Sequence, residues 1–185
     1  MMPFILVPPK SGDTVLDLGC GNGRLAMALI LNGFHEIKYI GIDPCPQSVE
    51  FCRWAFAPWP QFEFWHAPLK TPTYTPNQPV DPMRWVFPLA NHSVNWAAAI
   101  SVFTHLQTKE LAGHYADEFY RVLAPSGVFW STWFRSPPND ETEIVERTVY
   151  QEAFIVNRLR GFLWLGTKNG TGVEQHDQWN VWVMR

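Results

Sequence analysis

Charge and cysteine are both scarce in this 185-residue chain. Charged residues make up 17% of it and sum to −3, so no basic field invites nucleic acid and no acidic tract forms a solvating arm. The three cysteines, Cys20, Cys45 and Cys52, are an odd number without the paired spacing of a zinc site or a dithiol redox motif. His35, His92, His114 and His176 show no mutual metal-ligand spacing, so no metal is expected. No apolar run is long enough to span a bilayer, which argues against a membrane protein. The opening MMPFILVPPKSGD carries neither a charged leader nor a small-residue cleavage site. No signal peptide is expected, and with unpaired cysteines the expected compartment is the reducing cytoplasm.

Apolar and rigid residues are plentiful instead. Hydrophobic residues reach 46%, which excludes wholesale disorder, and the length fits one domain with one buried core. Residues 1–185 therefore read as a single domain. Ten tryptophans suggest a bulky core or a flat apolar pocket. Sixteen prolines, nearly twice the usual share of about 5%, suggest long ordered loops.

Along the chain, short apolar runs alternate with helical patterns. Strands are expected at 15–18, 39–42, 62–65, 96–100 and 128–134, and helices at 24–31, 47–56 and 108–123. Such alternation implies an α/β fold, a parallel sheet covered on both faces. Six prolines between 67 and 88 forbid regular structure there, leaving an ordered insertion or a flap. After Pro137 and Pro138, Glu141 to Leu159 reads as one or two helices. Strands at 162–165 and 179–183 follow, joined by a connection too short for a crossover helix, so they should form an antiparallel pair.

Chemistry concentrates near the amino terminus. The strand Val15–Leu18 runs into Gly19-Cys20-Gly21-Asn22-Gly23, and a helix follows at once. Glycines let the backbone turn sharply and approach a ligand, while the helix start offers unsatisfied N–H groups. A second strand ends in Asp43, whose carboxylate can accept hydrogen bonds from both hydroxyls of a ribose. The dinucleotide pattern needs a third glycine where Arg24 stands, which argues against NAD.

VLDLGCGNGRLA, YIGID, FPLANHSVNWAAAISVFTHL and HYADEFYRVLAPSGVFWSTWF together resemble the class I S-adenosylmethionine-dependent methyltransferases, in particular small bacterial members of unassigned substrate. The resemblance implies a Rossmann-like three-layer domain, with a mostly parallel seven-stranded sheet and an antiparallel carboxyl-terminal pair. It implies S-adenosylmethionine as cofactor and S-adenosylhomocysteine as product. Asp17, Gly19, Gly21 and Gly23 would shape the pocket for the methionine part, and Cys20 and Asn22 would contribute backbone. Asp43 would hold the ribose, with Pro44 against the adenine. Ser101, Val102 and Phe103 would line the cofactor near its sulfonium, and His105 would sit at the active-site rim. The family's acid or amide after the third strand is missing, so His66 or a backbone carbonyl must serve the adenine. The family's Asp before the fourth strand is Asn95 here. A lid helix before the first strand is also missing, so an oligomer contact, a partner subunit or the proline-rich insertion must close the site.

Methyl transfer from a sulfonium is an in-line displacement that asks the protein mainly for alignment and exclusion of water. A base is required only when the acceptor loses a proton, and His105 is the candidate. Its bland alternative is packing or capping beside the next helix. His66 divides between an adenine contact and a loop hydrogen bond. Tyr74, Trp85 and Phe87 either flap over an acceptor or cover an edge of the core. The helix-start position of Cys20 would favour its thiolate, but no base pairs with it. The expectation is methyl transfer to O, N or C of a small-molecule acceptor. The alternatives are a non-catalytic cofactor-binding subunit and an NAD-dependent oxidoreductase.

Overall fold

The computed structural model describes residues 7–135, 149–150, 155, 157–159, 161–169 and 177–184. Its strands are β1 (Thr14–Leu18), β2 (Lys38–Asp43), β3 (Phe62–His66), β4 (Val94–Ala99), β5 (Leu123–Arg135), β6 (Val149–Tyr150), β7 (Phe162–Asn169) and β8 (Asp177–Met184). The helices are α1 (Arg24–Leu31), α2 (Pro46–Ala55) and α3 (Lys109–Val122).

The eight described strands form one sheet, in the order β3-β2-β1-β4-β5-β8-β7 with β6 beside β5 off this path. Strands β1 to β5 are mutually parallel, whereas β8 runs antiparallel to both β5 and β7. This is the expected mostly parallel sheet with an antiparallel closing pair. Side chains alternate across the central strands, so each face has its own core. Val15, Tyr39, Trp96 and Ala98 meet α1 and α2 on one face. Leu16, Ile40, Ala97 and Phe129 meet α3 on the other.

Two local readings change. The two-residue β6 pairs with the far end of β5, adding an eighth strand inside the stretch expected to be helical. Residues 141–148, 151–154 and 156 of that stretch lie outside the described residues, while 155 and 157–158 are helical. The turn expected at Pro125-Ser126-Gly127 lies within β5 rather than before it. Leu123 already pairs with Val94, and the register then slips before Trp96 meets Val128. Ser126 absorbs the irregularity with φ 65°, so the chain bulges without leaving the sheet.

The connection from β3 to β4 has no α-helix. It is the proline-rich insertion, and it is ordered. Thr71 and Thr75 exchange backbone hydrogen bonds, and the Thr75 hydroxyl donates to Leu69 O at 2.6 Å. Phe87 is fully buried and Trp85 packs beside it against Tyr115, so these rings cover the α3 face. Tyr74 is 58% exposed and stands apart from that cluster.

Candidate functional site

Strand order reverses at β1, whose neighbours are β2 and β4. In an open α/β sheet, the crevice at the carboxyl ends of such strands is where ligands settle. Three segments converge there: the glycine loop after β1, Asp43 ending β2, and residues 101–105 after β4.

The loop takes its shape from left-handed backbone. Gly19, Gly21 and Gly23 have φ of 74°, 51° and 78°, conformations that L side chains resist. Gly19 and Gly23 are also sterically fixed. A Cβ on Gly23 would lie 2.5 Å from the Phe56 ring, and one on Gly19 would lie 2.6 Å from Val102 Cγ2. Gly21 differs, because a Cβ there would meet nothing within 4 Å. Gly23 occupies the N-cap of α1 and gives no side-chain cap, so the first-turn N–H groups are left for water or a ligand.

Asp43 ties this loop to the next helix. Its Oδ2 accepts the Gly21 N–H and its Oδ1 the Cys45 N–H, each at 2.8 Å. A carboxylate has about four acceptor positions, so each oxygen retains capacity for a ribose hydroxyl. That capacity, the open space at Gly21 and the uncapped helix start fit an adenosyl cofactor. Pro44 is half-buried beside it, and His66 Nε2–H donates to Pro44 O at 3.1 Å. Of the two readings for His66, the loop hydrogen bond is therefore present.

Asp17 lies deeper. It is 2% exposed, and Tyr39 OH donates to its Oδ2 at 2.5 Å. Burial pushes its carboxyl up to about 7, the Tyr39 bond and Arg24 opposing and the Asp43 charge adding. Cys20 within the loop and Cys52 on α2 are both buried, and the Cys52 thiol donates to Gly21 O at 3.3 Å. Contact with Cys52 and burial raise the Cys20 thiol, contrary to the thiolate that a helix-start position would favour. Asn22 is exposed at the loop tip.

After β4, Ser101 is exposed with φ 58°, and its N–H donates to Thr132 Oγ1 at 2.6 Å. Val102 then lies against Gly19. Phe103 goes inward instead: it is fully buried, its ring centroid 4.0 Å from that of Trp133. The turn closes with His105 N–H donating to Val102 O at 2.8 Å. The His105 ring meets the edge of the Tyr74 ring, centroids 5.6 Å apart, so the insertion reaches the rim of the crevice. Tyr39 and Thr132 were not singled out in the sequence. Each partners a site residue 22 or 31 positions away, a spacing without a local signature. Among the described residues, no three His, Cys, Asp or Glu side chains could hold a metal ion, and no helix is long and apolar enough to cross a membrane.

Known proteins resemble this chain in sequence and in fold. A family described as methyltransferase domain matches residues 16–129. The ribosomal protein L11 methyltransferase of Vibrio campbellii is 32% identical over 124 residues, covering 60% of this chain and 40% of that protein. The chain thus spans well under half the length of this curated relative. A Methanosarcina mazei S-adenosylmethionine-dependent methyltransferase superposes with TM-score 0.71 at 16% identity, covering 100% of this chain and 98% of that one. A complex between the Haloferax volcanii Trm112 methyltransferase activator and a methyltransferase also matches, with TM-score 0.71 at 18% identity and coverage of 98% and 86%. The Burkholderia thailandensis 1,6-didemethyltoxoflavin-N1-methyltransferase, solved with its substrate and S-adenosylhomocysteine, gives TM-score 0.68 at 16% identity, covering 94% and 71%.

Proposed function

Because the chain belongs to the class I S-adenosylmethionine-dependent methyltransferases and takes that cofactor, we propose that it moves a methyl group to O, N or C of a small-molecule acceptor. The observation that supports the cofactor side of this reading is the Asp43 carboxylate, held between Gly21 N–H and Cys45 N–H with acceptor positions to spare. When bound, S-adenosylmethionine supplies a methyl group activated on a sulfonium. The chain's residues then bind and align. Asp43 accepts the ribose hydroxyls. Gly19, Gly21 and Gly23, with the backbone of Cys20 and Asn22, give the methionine part its cradle, and Asp17, on the strand that leads into the loop and bonded to Tyr39, helps to shape it. Pro44 lies along the adenine, and His66, bonded to Pro44 O, orients that side. Ser101 and Val102 wall the sulfonium side, with Phe103 anchoring them in the core. His105 takes a proton from acceptors that must lose one, and Tyr74 restricts their approach.

A net charge of −3 favours a small acceptor over nucleic acid. The family assignment removes the oxidoreductase alternative. A partner subunit to close the site is compatible with the reading, since the Haloferax volcanii neighbour is solved with an activator. The test is methyl-labelled cofactor offered with a panel of phenols, amines and heteroaromatics, and separately with ribosomal protein L11. Label on a small molecule is expected. Label on L11 alone would move the acceptor class to protein, and retained binding without any turnover would favour the non-catalytic subunit.

A further inference from the structure

Ser101 is a non-glycine residue in left-handed backbone at the mouth of the crevice, with φ 58°. For an L residue this region is disfavoured, and it persists only where surroundings over-determine it. The determinant is visible one strand away. Thr132 lies on β5, just beyond the Ser131 that pairs with Ala99 at the end of β4. Its side chain is 3% exposed, and its hydroxyl oxygen accepts the Ser101 N–H at 2.6 Å. The neighbouring Ser131 hydroxyl is already used internally, accepting the indole N–H groups of Trp133 at 2.8 Å and Trp182 at 3.1 Å. The two adjacent hydroxyls therefore serve different ends: Ser131 pins the core, and Thr132 reaches to the site.

What that hydrogen bond controls follows from the next residue. Val102 Cγ2 lies so close to Gly19 that a Cβ there would fall 2.6 Å from it. The turn from Ser101 thus sets how Val102 rests on the first glycine of the loop. It also sets where His105 meets Tyr74, since His105 N–H closes on Val102 O. We propose that Thr132 is a positioning residue for the cofactor pocket, its hydroxyl holding Ser101 in the left-handed conformation that lays Val102 against Gly19. This rests on the reading of that crevice as the S-adenosylmethionine pocket.

The experiment is calorimetric titration with S-adenosylhomocysteine, alongside a thermal melt of each variant. Thr132→Val keeps the shape and removes the acceptor, and should weaken binding about tenfold, while Thr132→Ser restores the hydroxyl and should bind within about twofold of the parent chain. Glycine reaches the left-handed region unaided, so in a Ser101→Gly background the cost of Thr132→Val should shrink to about threefold or less. Should Thr132→Val fail to melt cooperatively, a pair at the exposed Ser101 decides the matter. Asparagine tolerates left-handed backbone and valine does not, so Ser101→Asn should bind about tenfold more tightly than the similar-sized β-branched Ser101→Val. Equal binding by Thr132→Val and the parent, equal losses for Val and Ser at 132, an undiminished cost in the glycine background, or equal binding by the two Ser101 variants would each overturn the proposal. If the parent chain itself fails to bind, the pocket reading fails and takes this proposal with it.

Discussion

The first two crossovers of the sheet and the third solve one problem by different means. Between β1 and β3 the chain returns through α1 and α2, which satisfy most of their own backbone groups and bury an apolar stripe against Tyr39, Phe62 and Phe64. Between β3 and β4 it returns through a proline-rich loop that cannot do so, and side chains from elsewhere take over. Glu118 Oε2 accepts the Phe87 N–H at 2.7 Å. Arg121 donates to Phe87 O, Leu89 O and Asn91 Oδ1 at 2.8–2.9 Å and holds Glu118 at 2.7 Å. His114 Nε2–H donates to Trp85 O at 2.7 Å. All three clamping residues lie on α3, so one helix covers the face and also holds the loop that helps to cover it. Helical crossovers place the glycine loop through backbone geometry, whereas the loop crossover is placed by a few polar contacts and leaves Tyr74 exposed beside His105.

That contrast breaks first at Glu118. Burial alone would raise its carboxyl, but the Arg121 guanidinium and the Phe87 N–H outweigh it and hold the group below the ordinary range. A depressed carboxyl adds stability that is present above its unfolded value and lost as pH falls through the folded one. Glu118→Ala should therefore cost about 2–3 kcal/mol in urea unfolding near neutral pH, leaving Phe87 N–H and Arg121 without their partner. Most of that difference should vanish in acid. The glycine loop is untouched, so S-adenosylhomocysteine affinity should stay within about twofold of the parent chain. A comparable collapse of cofactor affinity would mean that the two regions are not separate.

The helical half should answer to pH in the opposite sense. Asp17, pushed up to about 7, keeps in the folded state a proton that the unfolded chain releases near pH 4. Its contribution is complete below about pH 4 and is lost as pH rises through 7. Asp17→Asn should flatten that decline and raise stability at pH 8 by about 1–2 kcal/mol, part of the gain being offset by a weaker bond from Tyr39. A steeper decline in the variant would show that the Asp17 carboxylate is stabilised by its surroundings rather than strained by them.

Much of this contrast was legible in the chain itself, and the parts that were not share a cause. Val15–Leu18, the glycine loop and Asp43 are local patterns, and the fold builds the crevice from them. The prolines between 67 and 88 announced a missing helix because proline removes the donor a helix needs. Their partners on α3 were not announced, since Glu118 and Arg121 read as ordinary members of an amphipathic helix until Phe87 is brought beside them. Thr132 sat unnoticed in an aromatic strand for the same reason. Phe103, expected at the cofactor, went inward because Trp133 offers it a stacking partner only once β5 is alongside β4. The bulge at Ser126 hid the true start of β5, since a turn signature and a bulge use the same residues. The sequence pattern recorded which residues a segment holds, and the tertiary partners decided how they are used.

The central claim is that Asp43 and the glycine loop form a pocket for an adenosyl cofactor. Calorimetric titration of the chain with S-adenosylhomocysteine and, in parallel, NAD tests it directly, each repeated with Asp43→Ala. Binding of the adenosyl ligand but not of NAD is predicted, with the substitution costing on the order of 1–3 kcal/mol, roughly ten- to hundredfold in affinity. Equal affinity in the parent and the Asp43→Ala variant would contradict the account, as would a preference for NAD.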